Sequence, residues 1–267
     1  MTTTPETTPE EVKACCATAY SSDLVALLLG QAYHPGGLAL TRRLADQLTL
    51  RPGQQVLDVA SGRGTTARLL AAEYGVDVTG IDLSAANVAI ATAEAGDLAG
   101  VRFQVGDAEQ LPVPDAGFDA VVCECAWCTF PDKPTAAAEF ARVLRPGGRL
   151  GVTDVTAQPD RLPPELASLA ARVACIADAR PTAGYVALLA GAGLRVRGET
   201  ERHDDAMTRM IDQIEARLKL VAITSPQRAA ALGLDLDRAS EILGAARTAV
   251  ANGVLGYTLI IADKAAH

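Results

Sequence analysis

From about residue 38 to residue 155, short apolar runs alternate with stretches whose apolar residues recur at helical spacing. Runs over 56–59, 76–81, 101–105, 120–125 and 150–154 read as buried strands. The intervening 38–50, 66–74, 84–99 and 135–143 read as helices, with Ser84 placed to cap the third. Strand–helix alternation of this kind predicts an α/β fold with a doubly wound, mostly parallel sheet. Ligands of such sheets sit outside the carboxyl ends of the strands.

The pattern differs on both sides of that core. Residues 10–30 are helical in period with a break at Tyr20–Ser21–Ser22–Asp23. After residue 155 come helices over 165–179 and 182–191 and a strand over 194–200. Helices over 204–221, 227–231 and 236–252 and a last strand over 256–261 follow. The expected division is 1–30 as an N-terminal helical segment, 31–155 as the ligand-binding core, and 156–267 as a part that completes the sheet and caps the acceptor side.

The core is organised around Val56-Leu57-Asp58-Val59-Ala60-Ser61-Gly62-Arg63-Gly64, a strand running through a glycine turn into a helix. Glycines let the backbone approach a ligand closely, and the helix start offers unpaired N–H groups to an anion. Asp82, closing the second strand, is placed to accept hydrogen bonds from ribose hydroxyls. A dinucleotide and S-adenosyl-L-methionine (SAM) both suit this layout. Asp58 leans toward SAM, because dinucleotide folds usually keep an apolar residue there.

Composition narrows the picture. The chain has 267 residues and a net charge of −8, which argues against nucleic acid as a partner. No apolar run reaches membrane-spanning length. The Thr/Pro/Glu-rich start lacks the basic and apolar parts of a signal peptide, so the expectation is a cytoplasmic protein with no membrane partner. Its six cysteines are then expected as thiols. Oligomeric state is not legible.

Gly106-Asp107-Ala108 closes the third strand, Phe118-Asp119 opens the fourth, and Leu144-Arg145-Pro146-Gly147-Gly148 precedes the fifth. With the glycine turn and Asp82, these ordered motifs resemble the class I SAM-dependent methyltransferases between about 38 and 155. The resemblance implies a Rossmann-like, seven-stranded sheet with a helical insertion before the last strand, and SAM as cofactor. Asp58, Ala60, Gly62 and Gly64 would cradle its methionine part. Asp82 would meet the ribose, Asp107 and Ala108 the adenine, and Leu83 is a further cofactor-binding residue. His34, in a His–Pro–Gly–Gly turn, and Cys123 complete the expected cofactor wall. The usual glycine after Asp58 is replaced by Ala60.

The acceptor is the open question. Cys123-x-Cys125-x-x-Cys128 sits at the end of the fourth strand, where strand alternation would turn Cys123 and Cys125 to one side. Thiolates favour soft centres. The triplet has no obvious fourth ligand nearby, which disfavours tetrahedral zinc.

Here the sequence resembles the arsenite methyltransferases. The matching pieces are Cys15–Cys16 near Tyr20–Ser22–Asp23, Phe118–Asp119…Cys125…Pro131–Asp132–Lys133, and Cys175 after Leu162–Pro163. By that resemblance Cys125 and Cys175 would be catalytic and hold a trivalent metalloid. Cys15 or Cys16 would supply a third sulfur, and a thiol reductant would be a further partner. Glu124 stands where that family has asparagine.

Two other readings stay open. One is a small-molecule O-, N- or C-methyltransferase using a histidine, such as His34 or His203, or an acidic base. The other is a non-catalytic sensor of SAM or a metalloid.

Overall fold

A computed structural model describes residues 8–30, 32–166, 176, 178–224 and 235–266. The apolar runs form a twisted sheet of eight strands. In chain order these are β1 (Gln55–Val59), β2 (Asp77–Asp82), β3 (Val101–Val105), β4 (Phe118–Glu124), β5 (Leu144–Ala157), β6 (Leu194–Val196), β7 (Glu201–Arg202) and β8 (Leu255–Lys264). Their spatial order is β3-β2-β1-β4-β5-β8-β6, with β7 also on β8. The pairs from β3 to β5 are parallel, and β8 runs antiparallel to β5, β6 and β7.

Alternating side chains feed two separate cores. Val56, Ala120 and Val122 face one, while Leu57, Val59 and Val121 face the other. The first core is covered by α3 (Gly37–Leu48), α4 (Thr65–Tyr74), α8 (Asp204–Thr224) and α9 (Leu236–Ala251). The second is covered by α6 (Lys133–Val143) and α7 (Thr182–Gly191). α5 (Ala85–Ala95) follows β2, and α1 (Pro9–Tyr20) and α2 (Asp23–Leu29) precede the sheet. Thr8 starts α1 with a reciprocal cap. Glu11 N–H donates to the Thr8 hydroxyl, and Thr8 N–H to the Glu11 carboxylate.

The structure corrects the expectations at several points. The eighth strand is the two-residue β7. The expected 194–200 strand stops at Val196 as β6, with Gly198 at φ +63° just beyond it, and β7 follows at Glu201. β5 extends back through Pro146-Gly147-Gly148. That start pairs Leu144 with Phe118 across a register shift, and Gly147 N–H donates to the Ala265 carbonyl. α5 ends at Ala95 because Gly96 takes φ +53°. The expected 227–231 helix lies outside the described residues, as does most of the 165–179 helix; Pro164–Leu166 is a 3-10 turn. No helix among the described residues is long and apolar enough to cross a membrane.

Candidate active site

The carboxyl ends of β1, β2 and β4 open into one cavity of about 1200 Å³, counting the part continuous with solvent. Its floor is the glycine turn. Ala60, Gly62 and Gly64 all take left-handed backbone, at φ +58°, +53° and +75°. Ala60 holds that conformation with a methyl group, at a cost of about 1–2 kcal/mol that glycine would avoid. Gly64 caps α4 beneath the Phe103 ring, and an added Cβ there would lie 2.4 Å from Phe103 Cζ. Gly64 thus shapes the turn from below, whereas Ala60 and Gly62 line the cavity.

Asp82 is fixed by that turn. Its Oδ2 accepts the Gly62 N–H at 2.8 Å, and its Oδ1 accepts Ser84 N–H at 2.8 Å and Asn87 Nδ2 at 3.2 Å. Burial pushes its carboxyl above the usual range, and these three donors pull it back. Leu83 beside it is 40% exposed and lines the cavity. Asp58 is buried in the wall, and its carboxyl rises well above the ordinary range. Burial is the main cause, and the charges of Glu124 and Asp82 add to it.

At the far end, Asp107 already has partners. Lys13 of α1 donates to its Oδ2 at 2.7 Å, and Glu109 N–H donates to its Oδ1 at 2.9 Å. Lys13 also reaches Glu109 at 2.5 Å. Burial would lower the Lys13 ammonium, but the two carboxylates outweigh it and hold it raised. Ala108 lines the cavity next to them.

Four buried polar atoms without a hydrogen-bond partner line this one cavity: Tyr33 Oη, Asp58 Oδ2, Ser61 Oγ and Asn87 Oδ1. Buried polar groups are normally paired, so a cavity ringed by such atoms is built to receive polar ligand atoms.

The other end centres on Glu124, the last residue of β4, whose side chain is 4% exposed. Its Oε2 accepts Thr66 Oγ1 at 2.7 Å and Thr41 Oγ1 at 3.0 Å. Thr41 spends its one proton on Glu124, which leaves its oxygen to face His34 Nε2 at 3.4 Å. His34 Nε2 is itself 3.6 Å from Glu124 Oε2. Behind Glu124, the buried Tyr257 hydroxyl donates to Thr153 Oγ1 at 3.0 Å, and Thr153 reaches Glu124 Oε1 at 3.4 Å. Burial lifts the Tyr257 hydroxyl well above its usual range, helped by Cys125 and Glu124.

The cysteines do not converge as the strand pattern implied. β4 stops at Glu124, and Cys125 turns to φ +53° with its N–H on the Thr153 carbonyl. Cys125 lines the cavity, whereas Cys123 is fully buried in the opposite core and is no part of the cofactor wall. Burial, then Asp154 and Asp58, raises the Cys123 thiol well above its usual range. Cys128 is buried in the first core. Cys16 lines the cavity from α1 and Cys15 does not. Cys175 lies outside the described residues. Among the described residues, no three His, Cys, Asp or Glu side chains gather to hold a metal ion.

Trp127 is a core residue, edge-on to Phe140 and tilted against Tyr185, with its indole N–H on the Lys133 carbonyl. His203 pairs with Glu201 away from the cavity. Sequence reasoning missed Lys13, Tyr33, Thr41, Thr66 and Glu124. The one available signal was an acid ending the apolar run of a central strand.

A glycine turn after β1, an acid ending β2 and an antiparallel β8 inserted between β5 and β6 give the sheet the class I methyltransferase order. Residues 57–152 match the family model described as a methyltransferase domain. The 2-methyl-6-phytyl-1,4-hydroquinone methyltransferase of Synechocystis is 43% identical over 116 residues, covering 43% of this chain and 36% of that one. Phosphoethanolamine N-methyltransferase 2 of Haemonchus contortus, solved with SAM, superposes with a TM-score of 0.71 at 17% identity, covering 97% of this chain and 57% of that one. The [4+2]-cyclase SpnF superposes over the whole of both chains with a TM-score of 0.74 at 24% identity. Residues 57–152 therefore form a methyltransferase domain. The chain spans about a quarter to a half of the length of the curated relatives it matches.

Proposed function

We propose that this protein methylates an oxygen, nitrogen or carbon atom of an organic small molecule, with Glu124 as the base. Bound SAM supplies a methyl group on a cationic sulfur. Asp58 and the turn Ala60–Gly62–Gly64 would receive its methionine part, Asp82 the ribose, and Leu83, Asp107 and Ala108 the adenine. The orphaned atoms on Asp58, Ser61 and Asn87 support this fit. His34 and Glu124 then face the acceptor end, and α1 of the 1–30 segment encloses the cavity on one side.

The observation that carries the reading is the buried Glu124 carboxylate, held by Thr41 and Thr66, on the wall of the same cavity as the orphaned atoms. A positioned carboxylate beside an imidazole can take a proton from an acceptor as the methyl group arrives. The hydroquinone methyltransferase among the relatives acts on an organic acceptor, which favours this reading over a metalloid one. A metalloid site would draw on Cys16 and Cys125, with Cys123 and Cys128 already committed to the cores.

The test is release of S-adenosylhomocysteine (SAH) from SAM, with organic acceptors in one series and arsenite plus glutathione in the other. Turnover with hydroxyl or amine acceptors, unaffected by Cys125→Ser, is the expected result. Turnover only with arsenite restores the metalloid reading. Tight SAM binding without turnover in either series makes the protein a sensor.

A further inference from the structure

The acceptor end of the cavity carries its own chemical signature. The cavity lining includes Tyr20, Tyr33, Phe130, Cys125 and Ala126, and His34 meets Glu124 in the same wall. The Tyr20 and Tyr33 rings stand 6.4 Å apart at 37°. Among the described residues three basic side chains line the cavity, two of them beside acids that also line it. Lys13 is bound to Asp107 and Glu109, Arg63 lies 3.8 Å from Glu94, and His34 lies against Glu124. Against them stand Asp82, Asp107, Glu109 and Glu124.

A phosphorylated acceptor beside Glu124 would have to shed water facing a buried carboxylate, with no unpaired lysine or arginine at that carboxylate among the described residues, which is costly. A flat ring fits the aromatic walls. The Tyr33 hydroxyl is buried on the cavity wall and has no protein partner. Leaving such a group unpaired costs stability, so its natural partner is a polar atom of the ligand.

We infer that the acceptor is an uncharged hydroxylated aromatic ring, anchored by the Tyr33 hydroxyl, and that phosphorylated acceptors are excluded. This rests on the methyl-transfer reading above. The acceptor oxygen forms a bond to the methyl carbon as the carbon–sulfur bond breaks. The hydroxyl proton passes to Glu124, and the sulfur leaves as a neutral sulfide. A cation and an anion are consumed, so a pocket poor in water favours the step.

The experiment titrates SAH-loaded protein calorimetrically with 1,4-dihydroxynaphthalene and, separately, with phosphoethanolamine. The diol binds and phosphoethanolamine does not at millimolar concentration. Tyr33→Phe weakens the diol roughly tenfold, the loss of one hydrogen bond. The same variant leaves SAH affinity unchanged and Tm unchanged or raised, since no protein contact is lost. Absence of diol binding, tighter binding of phosphoethanolamine, or an unchanged diol affinity in Tyr33→Phe overturns the inference. Failure of the methyl-transfer reading looks different: the diol binds in a Tyr33-dependent way, yet no labelled methyl group passes to it from SAM.

Discussion

Glu124→Gln removes the proposed base while keeping its shape. The amide oxygen can still accept from Thr66 and Thr41, now at 2.7 and 3.0 Å, and the amide nitrogen can face Thr153 at 3.4 Å. Each retained hydrogen bond loses its charge, about 1 kcal/mol apiece. Relief from burying a carboxylate offsets part of that loss, so the fold should lose at most about 2 kcal/mol. The catalytic effect is larger. General-base catalysis contributes about 10²–10⁴ in rate, or about 3–5 kcal/mol of barrier. At saturating SAM, kcat for SAH release should fall by that factor, while calorimetric SAM affinity changes less than about threefold. A kcat within about threefold of the native value would refute Glu124 as the base. An equal collapse of SAM affinity would make its role structural.

The remaining predictions concern the cofactor end and the cysteines. Burial raises the Asp58 carboxyl well above its ordinary range, so the unfolded chain ionises it first. The apo fold therefore loses stability as pH rises through and above the ordinary carboxylate range; Asp58→Asn should flatten that part of a Tm–pH curve, and an unchanged slope would contradict it. Gly64→Ala combines a left-handed backbone with a Cβ driven into Phe103. It should cost about 2–5 kcal/mol in denaturant unfolding, and a loss below about 1 kcal/mol would show that the turn relaxes. Cys125→Ser should leave SAH release with an organic acceptor within about threefold of native, because no step assigned to this site uses the thiol.

What the sequence revealed was local, and what it hid was not. An apolar run followed by glycine and an acid dictates strand and turn within one short segment, so β1, β2 and the places of Asp58 and Asp82 on the cavity wall were legible. The Glu124 cluster was not, because Thr41 and Glu124 lie 83 positions apart and meet only through the packing of α3 beneath the sheet. Cys125 misled for another reason. Alternation holds only while the backbone stays extended, and no feature of cysteine announces a left-handed residue directly after β4. Cys123 and Cys128 then fell into separate cores, as small apolar side chains commonly do. Ala60 kept the turn of the glycine it replaces, because the flanking strand and α4 impose the conformation.

The most direct measurement is a calorimetric titration of SAM into the native chain and into Asp82→Ala. The cavity at the carboxyl ends of β1, β2 and β4 should bind one SAM per chain. Loss of the Asp82 carboxylate should weaken that binding by about tenfold or more, the worth of a hydrogen bond to a charged group. No binding to the native chain, or equal affinity in Asp82→Ala, would contradict the placement of the cofactor.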